Sequence, residues 1–185
     1  MKVKDVIISA LNILGRSGLA ASLADGDELT AEERETVDTL LYCFNATEDE
    51  VARNYMPLFA REELSSPDGE YFYASFINPP VKIKRVTAAG AAAEYELFPQ
   101  YMAVNAKKIT VEYEYAPSKK RLEGSSDFGG EVGEYLLALG AASEYCLING
   151  ELEEAELWEN KYRREIDRAQ RKLPSCGSIP PRRWV

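Results

Sequence analysis

The sequence predicts an α+β fold: mainly an α-helical bundle with an inserted small antiparallel β-sheet and an extended C-terminal arm. Three observations carry this. Apolar residues recur at helical spacing up to residue 57 and again after residue 129, but every second residue in the best-patterned stretches between 58 and 121. The last thirteen residues contain Pro174, Gly177, Pro180 and Pro181, which favour an extended path. The boundaries that follow are 1–57 and 129–172 for the bundle, 58–121 for an inserted β-meander and 173–185 for the arm. A chain of 185 residues and 20.7 kDa holds this as one domain with an insertion.

Helix one is expected from about Val3 to Leu14, with Val3, Ile7, Ala10, Leu11 and Leu14 on one face and Gly15 closing it. Asp5, Asn12, Gly15 and Arg16 interrupt the apolar run, so a packed helix is preferred to a secretory signal. A polar linker follows. Thr30 and Glu33 have capping-box spacing, and Val37, Leu40, Leu41, Phe44, Val51 and Tyr55 then mark a second helix that Pro57 ends. Glu32, Glu35, Thr39, Asp49 and Arg53 form its solvated face.

The period then changes to two. Tyr71, Tyr73 and Phe76 read as an edge strand; Val81 and Ile83, then Ala93, Tyr95 and Leu97, then Ile109, Val111, Tyr113 and Tyr115 read as three strands with turns at Ala89-Gly90 and Asn105-Ala106. Sequential pairing would set Lys82 and Lys84 opposite Glu94 and Glu96. After a Gly/Ser-rich connection from Pro117 to Gly130, helix three carries no charge from Tyr135 to Ser143 and is expected at the centre of the bundle. Glu144 interrupts that apolar surface as a narrow solvated stripe or at a subunit boundary. Helix four follows the Asn149-Gly150 turn, with Leu152, Ala155, Trp158, Tyr162, Ile166 and Ala169 inward, acids at its start and arginines at its end.

Composition narrows the chemistry. The absence of histidine removes the side chain most used for proton transfer near neutral pH and the commonest zinc ligand. Net charge is −9, yet residues 161–185 hold eight Lys/Arg against two acids, leaving 14 against 29 in the rest. Cys43, Cys146 and Cys176 are odd in number and widely spaced, which indicates neither a disulfide framework nor a zinc site. Gly129-Gly130 lacks the remainder of a phosphate loop, and Ser125-Ser126-Asp127 has only Lys119 and Lys120 nearby to activate it. Glu112 with Glu114, or Glu94 with Glu96, has the chemistry for acid-base work or a hard cation, but alternation explains them as the wet side of a sheet. No catalytic residue, cofactor or metal is expected, and the chain is read as a non-enzyme.

The order of parts, with VIISALNILG, LLYCFNATEDEVARNYMPL, VKIKRV, ITVEYEYAP, LLALGAASEYCLINGELEEAELWENKYRREIDRA and the terminal RRW, resembles the head-tail adaptor (head-completion, connector) proteins of tailed bacteriophages and prophages. That resemblance implies a virion structural protein made in the bacterial host cytoplasm and placed in the virion neck. It implies a homo-oligomeric ring, taken as a dodecamer, joining the portal to the tail or neck around a lumen through which DNA passes unbound. It gives Ile179, Pro180, Pro181, Arg182, Arg183 and Trp184 a receiver in the portal protein, and assigns the next neck or tail protein to the sheet region or helix ends. An acidic body suits a channel that must not grip phosphate. The alternative is a small non-catalytic protein-binding or regulatory module, monomeric or dimeric; a hydrolase using the sheet carboxylates is a third class, for which Glu112→Gln would abolish activity.

Overall fold

The structure is a computed structural model that describes residues 1–130 and 132–172; the arm, 173–185, lies outside the described residues. Five α-helices are described: α1 (Val3–Ile13), α2 (Ser17–Asp25), α3 (Ala31–Glu50), α4 (Glu134–Ile148) and α5 (Leu152–Lys172). Seven strands lie between α3 and α4: β1 (Leu58–Ser65), β2 (Glu70–Phe72), β3 (Pro80–Ala88), β4 (Ala91–Ala92), β5 (Tyr95–Leu97), β6 (Tyr101–Val104) and β7 (Lys108–Tyr115). The α+β class and the insertion of strands within a helical bundle are as expected.

α4 is the hub of the bundle, packing on α1, α3 and α5. Every residue from Leu136 to Ser143 is buried, which its lack of charge requires. α3 starts on the expected capping box: the Glu33 amide donates to Thr30 Oγ1 at 3.3 Å, and the Thr30 amide donates to Glu33 Oε2 at 2.8 Å. Two orphan donors are thereby satisfied, so Thr30→Ala is expected to cost about 1 kcal/mol in urea unfolding, with an unchanged midpoint as the contrary result. α3 passes into one π-helical turn, Val51–Tyr55, that delivers the chain to Pro57 and β1.

The polar linker expected after helix one is corrected: α2 occupies it and ends at Gly26, because Ala20 and Leu23 are apolar enough to be buried against the bundle.

The meander is also corrected. Two antiparallel sheets form instead, β1-β7-β3-β4 and β2-β6-β5. The hairpin at Ala89-Gly90 is present, with φ of 50° and 83°, but it joins β3 only to the two-residue β4. β7 then lies between β1 and β3, opposite Leu58–Ser65 on one side and Pro80–Thr87 on the other. A single meander would leave Ile109, Val111 and Tyr113 of β7 bare. The second sheet contributes Tyr71, Met102 and Val104 to the same buried cluster and removes that surface from water. Lys82 and Lys84 consequently meet Glu114, Lys84 Nζ lying 2.5 Å from its Oε1, while Glu94 and Glu96 fall outside this sheet. The edge strand expected at Tyr71–Phe76 is realised only as β2, at the edge of the second sheet, and turns into a 3₁₀ segment at Tyr73.

The 117–130 connection is strapped to the bundle. Asn45 Nδ2 donates to the Lys120 carbonyl at 3.1 Å, and the Lys120 amide donates to Asn45 Oδ1 at 2.6 Å. Val3 N–H donates to the Gly124 carbonyl at 3.1 Å, and Phe128 is buried with the helical core. Among the described residues no helix is long and apolar enough to cross a membrane.

Candidate functional site

The residues weighed for chemistry resolve into structural pairs. Ser126 Oγ donates to Glu48 Oε1 at 2.5 Å, the Asp127 amide donates to the same oxygen at 3.0 Å, and Lys120 Nζ lies 2.7 Å from Asp127 Oδ2. Ser126 is thus a donor to a buried carboxylate rather than an activated nucleophile. Glu48 is 1% exposed, its Oε2 has no hydrogen-bond partner among the described residues, and burial holds its carboxyl above the usual range against the lowering effect of Ser126, Asp127 and Lys120. This residue was not singled out from the sequence. The available signal was a carboxylate standing between Phe44 and Val51 on an otherwise apolar stripe.

Glu112 and Glu114 lie on the outward face of the first sheet, facing Arg61 at 3.8 Å and Lys84 at 2.5 Å; Lys108 similarly lies 3.9 Å from Glu63. That face is a lattice of opposite charges. Glu62 points the other way and ties the first sheet to the connection that precedes β3: it accepts from the Tyr113 hydroxyl and from the Ile77 amide at 3.1 and 3.2 Å. Glu144 is the expected narrow stripe, exposed between buried Ser143 and Tyr145. Its carboxyl is raised by partial burial and by Glu50 and Glu159.

Cys43 and Cys146 are free, and both thiols are pushed up to about 12. Burial dominates in each case, aided by Glu144 for Cys43 and by glutamates 151 and 154 for Cys146. Both are therefore protonated and poorly nucleophilic. Cys146 closes the α4–α5 turn, its Sγ donating to Glu154 Oε2 at 4.0 Å.

Among the described residues, two groups of exposed apolar side chains of unlike character stand beside scattered ones such as Phe59, Ile77 and Val81. Around the α4–α5 turn, Leu147, Ile148 and Leu152 are 54%, 53% and 65% exposed, and Ile148 shares a shallow hollow with Tyr42 of α3. The second surface is the outward face of the β2-β6-β5 sheet. Register places Phe72 opposite Tyr101, and Glu70 and Glu96 on either side of Ala103, alternating with the buried Tyr71–Met102 row. Phe98 stacks on Tyr101 at 4.8 Å between centroids, and Phe72 tilts against Tyr101 at 5.6 Å. Beside these rings is a hollow of about 820 Å³ whose lining includes Asp68, Glu70, Glu94 and Glu96 and no basic side chain. Thus Glu94 and Glu96, expected to face lysines, belong to an acidic surface with no ion pair among the described residues.

The arm residues Ile179, Pro180, Pro181, Arg182, Arg183 and Trp184 lie outside the described residues. No protein-family model matches the chain, and no curated protein matches it.

Proposed function

We propose that this chain is a non-catalytic assembly protein, the subunit of a head-tail adaptor ring. The observation that supports it best is the pair of unlike exposed apolar surfaces, one at the α4–α5 turn and one on the aromatic face of the second sheet. A ring is built by heterologous contacts, so each subunit needs different faces. Apolar clusters of this kind on a small acidic protein mark sites of association. In this reading the copies close a dodecameric ring in the virion neck, DNA passes through without specific contact, residues 179–184 engage the portal protein, and the sheet unit meets the next neck or tail protein.

The test is electron microscopy and mass photometry of the full chain, alone and with the portal protein of the same genome. Rings, or a complex with portal, are expected. Ile148→Glu with Leu152→Glu should abolish ring formation while leaving the circular dichroism spectrum unchanged. A monomer or dimer at all concentrations, with no portal binding, overturns the adaptor reading in favour of a small protein-binding module.

A further inference from the structure

We infer that two copies of this chain pair along β1, the two strands running antiparallel about a two-fold axis at Glu62, so that their first sheets become one. The contact goes beyond the adaptor reading and does not rest on it, since a two-fold contact closes at two copies whereas a ring is built from unlike faces.

The backbone of β1 locates the contact. The Ser66 amide donates to the Lys107 carbonyl at 2.9 Å, and these two residues continue the β1–β7 register. Hydrogen-bonded pairs alternate along an antiparallel ladder, so Leu58, Ala60, Glu62 and Leu64 turn their amides and carbonyls toward β7. Phe59, Arg61, Glu63 and Ser65 turn theirs the other way, where β1 is the edge of the sheet. Among the described residues no backbone group pairs with these four amides and four carbonyls.

The remaining sheet edges are protected among the described residues. The free side of β3 begins at Pro80, carries Lys82 and Lys84, and shifts register against β7 between Pro80 and Lys82 and again between Ile83 and Arg85. Its far end is covered by β4. In the second sheet the edge strands β2 and β5 are only three residues long. Proline, lysine, bulges and shortness are the devices that keep sheet edges from pairing. β1 has none of them: its eight residues keep one unbroken register and include no proline, glycine or lysine. Its charges are the safeguard that is left, and in one register they attract.

That register selects a second copy of β1 as the occupant. The four open residues are centred on Glu62, so a pairing that uses all of their amides and carbonyls sets Phe59 opposite Ser65 and Arg61 opposite Glu63 of the second copy, each twice. Opposite charges directly across a ladder stabilise it. Both side chains are mostly exposed and only loosely engaged in their own copy, Arg61 at 3.8 Å from Glu112 and Glu63 at 3.9 Å from Lys108. Pairings centred on Arg61 or on Glu63 leave open groups unused and oppose like charges. Pro57 and Pro67, which have no N–H, stand at equal distances either side of Glu62 and end the ladder at the same point in both copies. On the inner face Ala60 meets Leu64 of the second copy, extending the apolar surface that both already line. Glu62 meets its own equivalent, which is unfavourable, but each carboxylate is held in its own copy by the Tyr113 hydroxyl and the Ile77 amide.

The test uses the full chain with Cys176→Ser, which leaves only the buried Cys43 and Cys146. Arg61→Cys and Glu63→Cys are made in separate chains and mixed under mild oxidation. An interchain disulfide between the two variants is expected, several-fold above that of either alone. The directly opposed pair has a Cα separation of about 5.5 Å, whereas two copies of the same variant meet only on a diagonal of about 7–8 Å. In sedimentation velocity the otherwise native chain should show a two-copy species. Arg61→Pro should remove that species; it deletes an outward N–H and no bond to β7, so the fold should survive, which circular dichroism checks. Arg61→Glu should weaken the pair at least tenfold, and adding Glu63→Arg should restore it, a rescue that general destabilisation would not give. No mixed disulfide, equal disulfide from mixed and unmixed variants, or a two-copy species indifferent to Arg61→Pro would each overturn the inference. A β1 disulfide in a chain that neither forms rings nor binds portal removes the adaptor reading alone, and rings without the disulfide remove only the β1 pair.

Discussion

Gly140→Ala is expected to destabilise the protein by about 2 kcal/mol, although alanine is the better helix former by about 1 kcal/mol. Gly140 lies in the middle of α4, where a Cβ would stand 2.4 Å from Thr47 Cγ2 and 3.0 Å from Tyr162 Cε2. Thr47 cannot step aside easily, because a β-branched side chain within a helix has few rotamers and this one is 1% exposed. Tyr162 is held from the other side, its hydroxyl donating to Glu50 Oε2 at 3.1 Å. The added methyl must therefore push α3 or α5 away from the hub helix. Thr47→Ala removes the obstructing methyl together with a hydroxyl that has no partner among the described residues. The double variant should accordingly recover most of the loss, and the coupling energy from the cycle should exceed about 1 kcal/mol. Thermal and urea unfolding of the four proteins decides it; a single Gly140→Ala as stable as the parent would show that α3 and α4 are not in such close contact.

The legible parts of this protein are those where one residue type permits one local answer. The uncharged run in α4 could only be central, and Thr30 with Glu33 could only begin a helix. What was not legible depends on pairing over distance. β1 reads Leu-Phe-Ala-Arg-Glu-Glu-Leu-Ser, with Glu62 at an inward position. Its period of two is disguised because the carboxylate is compensated by Tyr113 and Ile77, partners fifteen or more residues away. Strand order failed for the same reason. The apolar face of β7 needs a cover, but nothing local says that β2, β5 and β6 supply it in place of a helix. The candidate surface divides likewise: aromatic and acidic residues were visible along the chain, whereas their meeting on one sheet face is set by the Phe72–Tyr101 and Glu96–Ala103 register.

Glu48 carries the second large effect, and its sign depends on which property is removed. Glu48→Ala strands the Ser126 hydroxyl and the Asp127 amide, both now donating to Glu48 Oε1, and leaves Lys120 and Asp127 beside an empty space. A buried donor left unmade costs about 1–3 kcal/mol, so a loss of about 3 kcal/mol and release of the 117–130 strap are expected. Hydrogen exchange at the Lys120 and Asp127 amides would report that release. Glu48→Gln keeps an acceptor for both donors and removes the charge. Because burial raises the folded-state pKa of Glu48, the native protein binds this proton more tightly than the unfolded chain does. The contribution of Glu48 is therefore most favourable below its unfolded pKa near 4.5, and declines as pH rises through the elevated folded value. Above that value the carboxylate stays ionised with Oε2 unpartnered, whereas glutamine carries no charge at any pH. The stability difference, Glu48→Gln minus parent, should thus increase from acid toward neutral pH and level off. A difference independent of pH, measured by urea unfolding between about pH 4 and 8, would mean that the carboxylate ionises in the fold as readily as in the unfolded chain, with the strap and Lys120 fully compensating its burial.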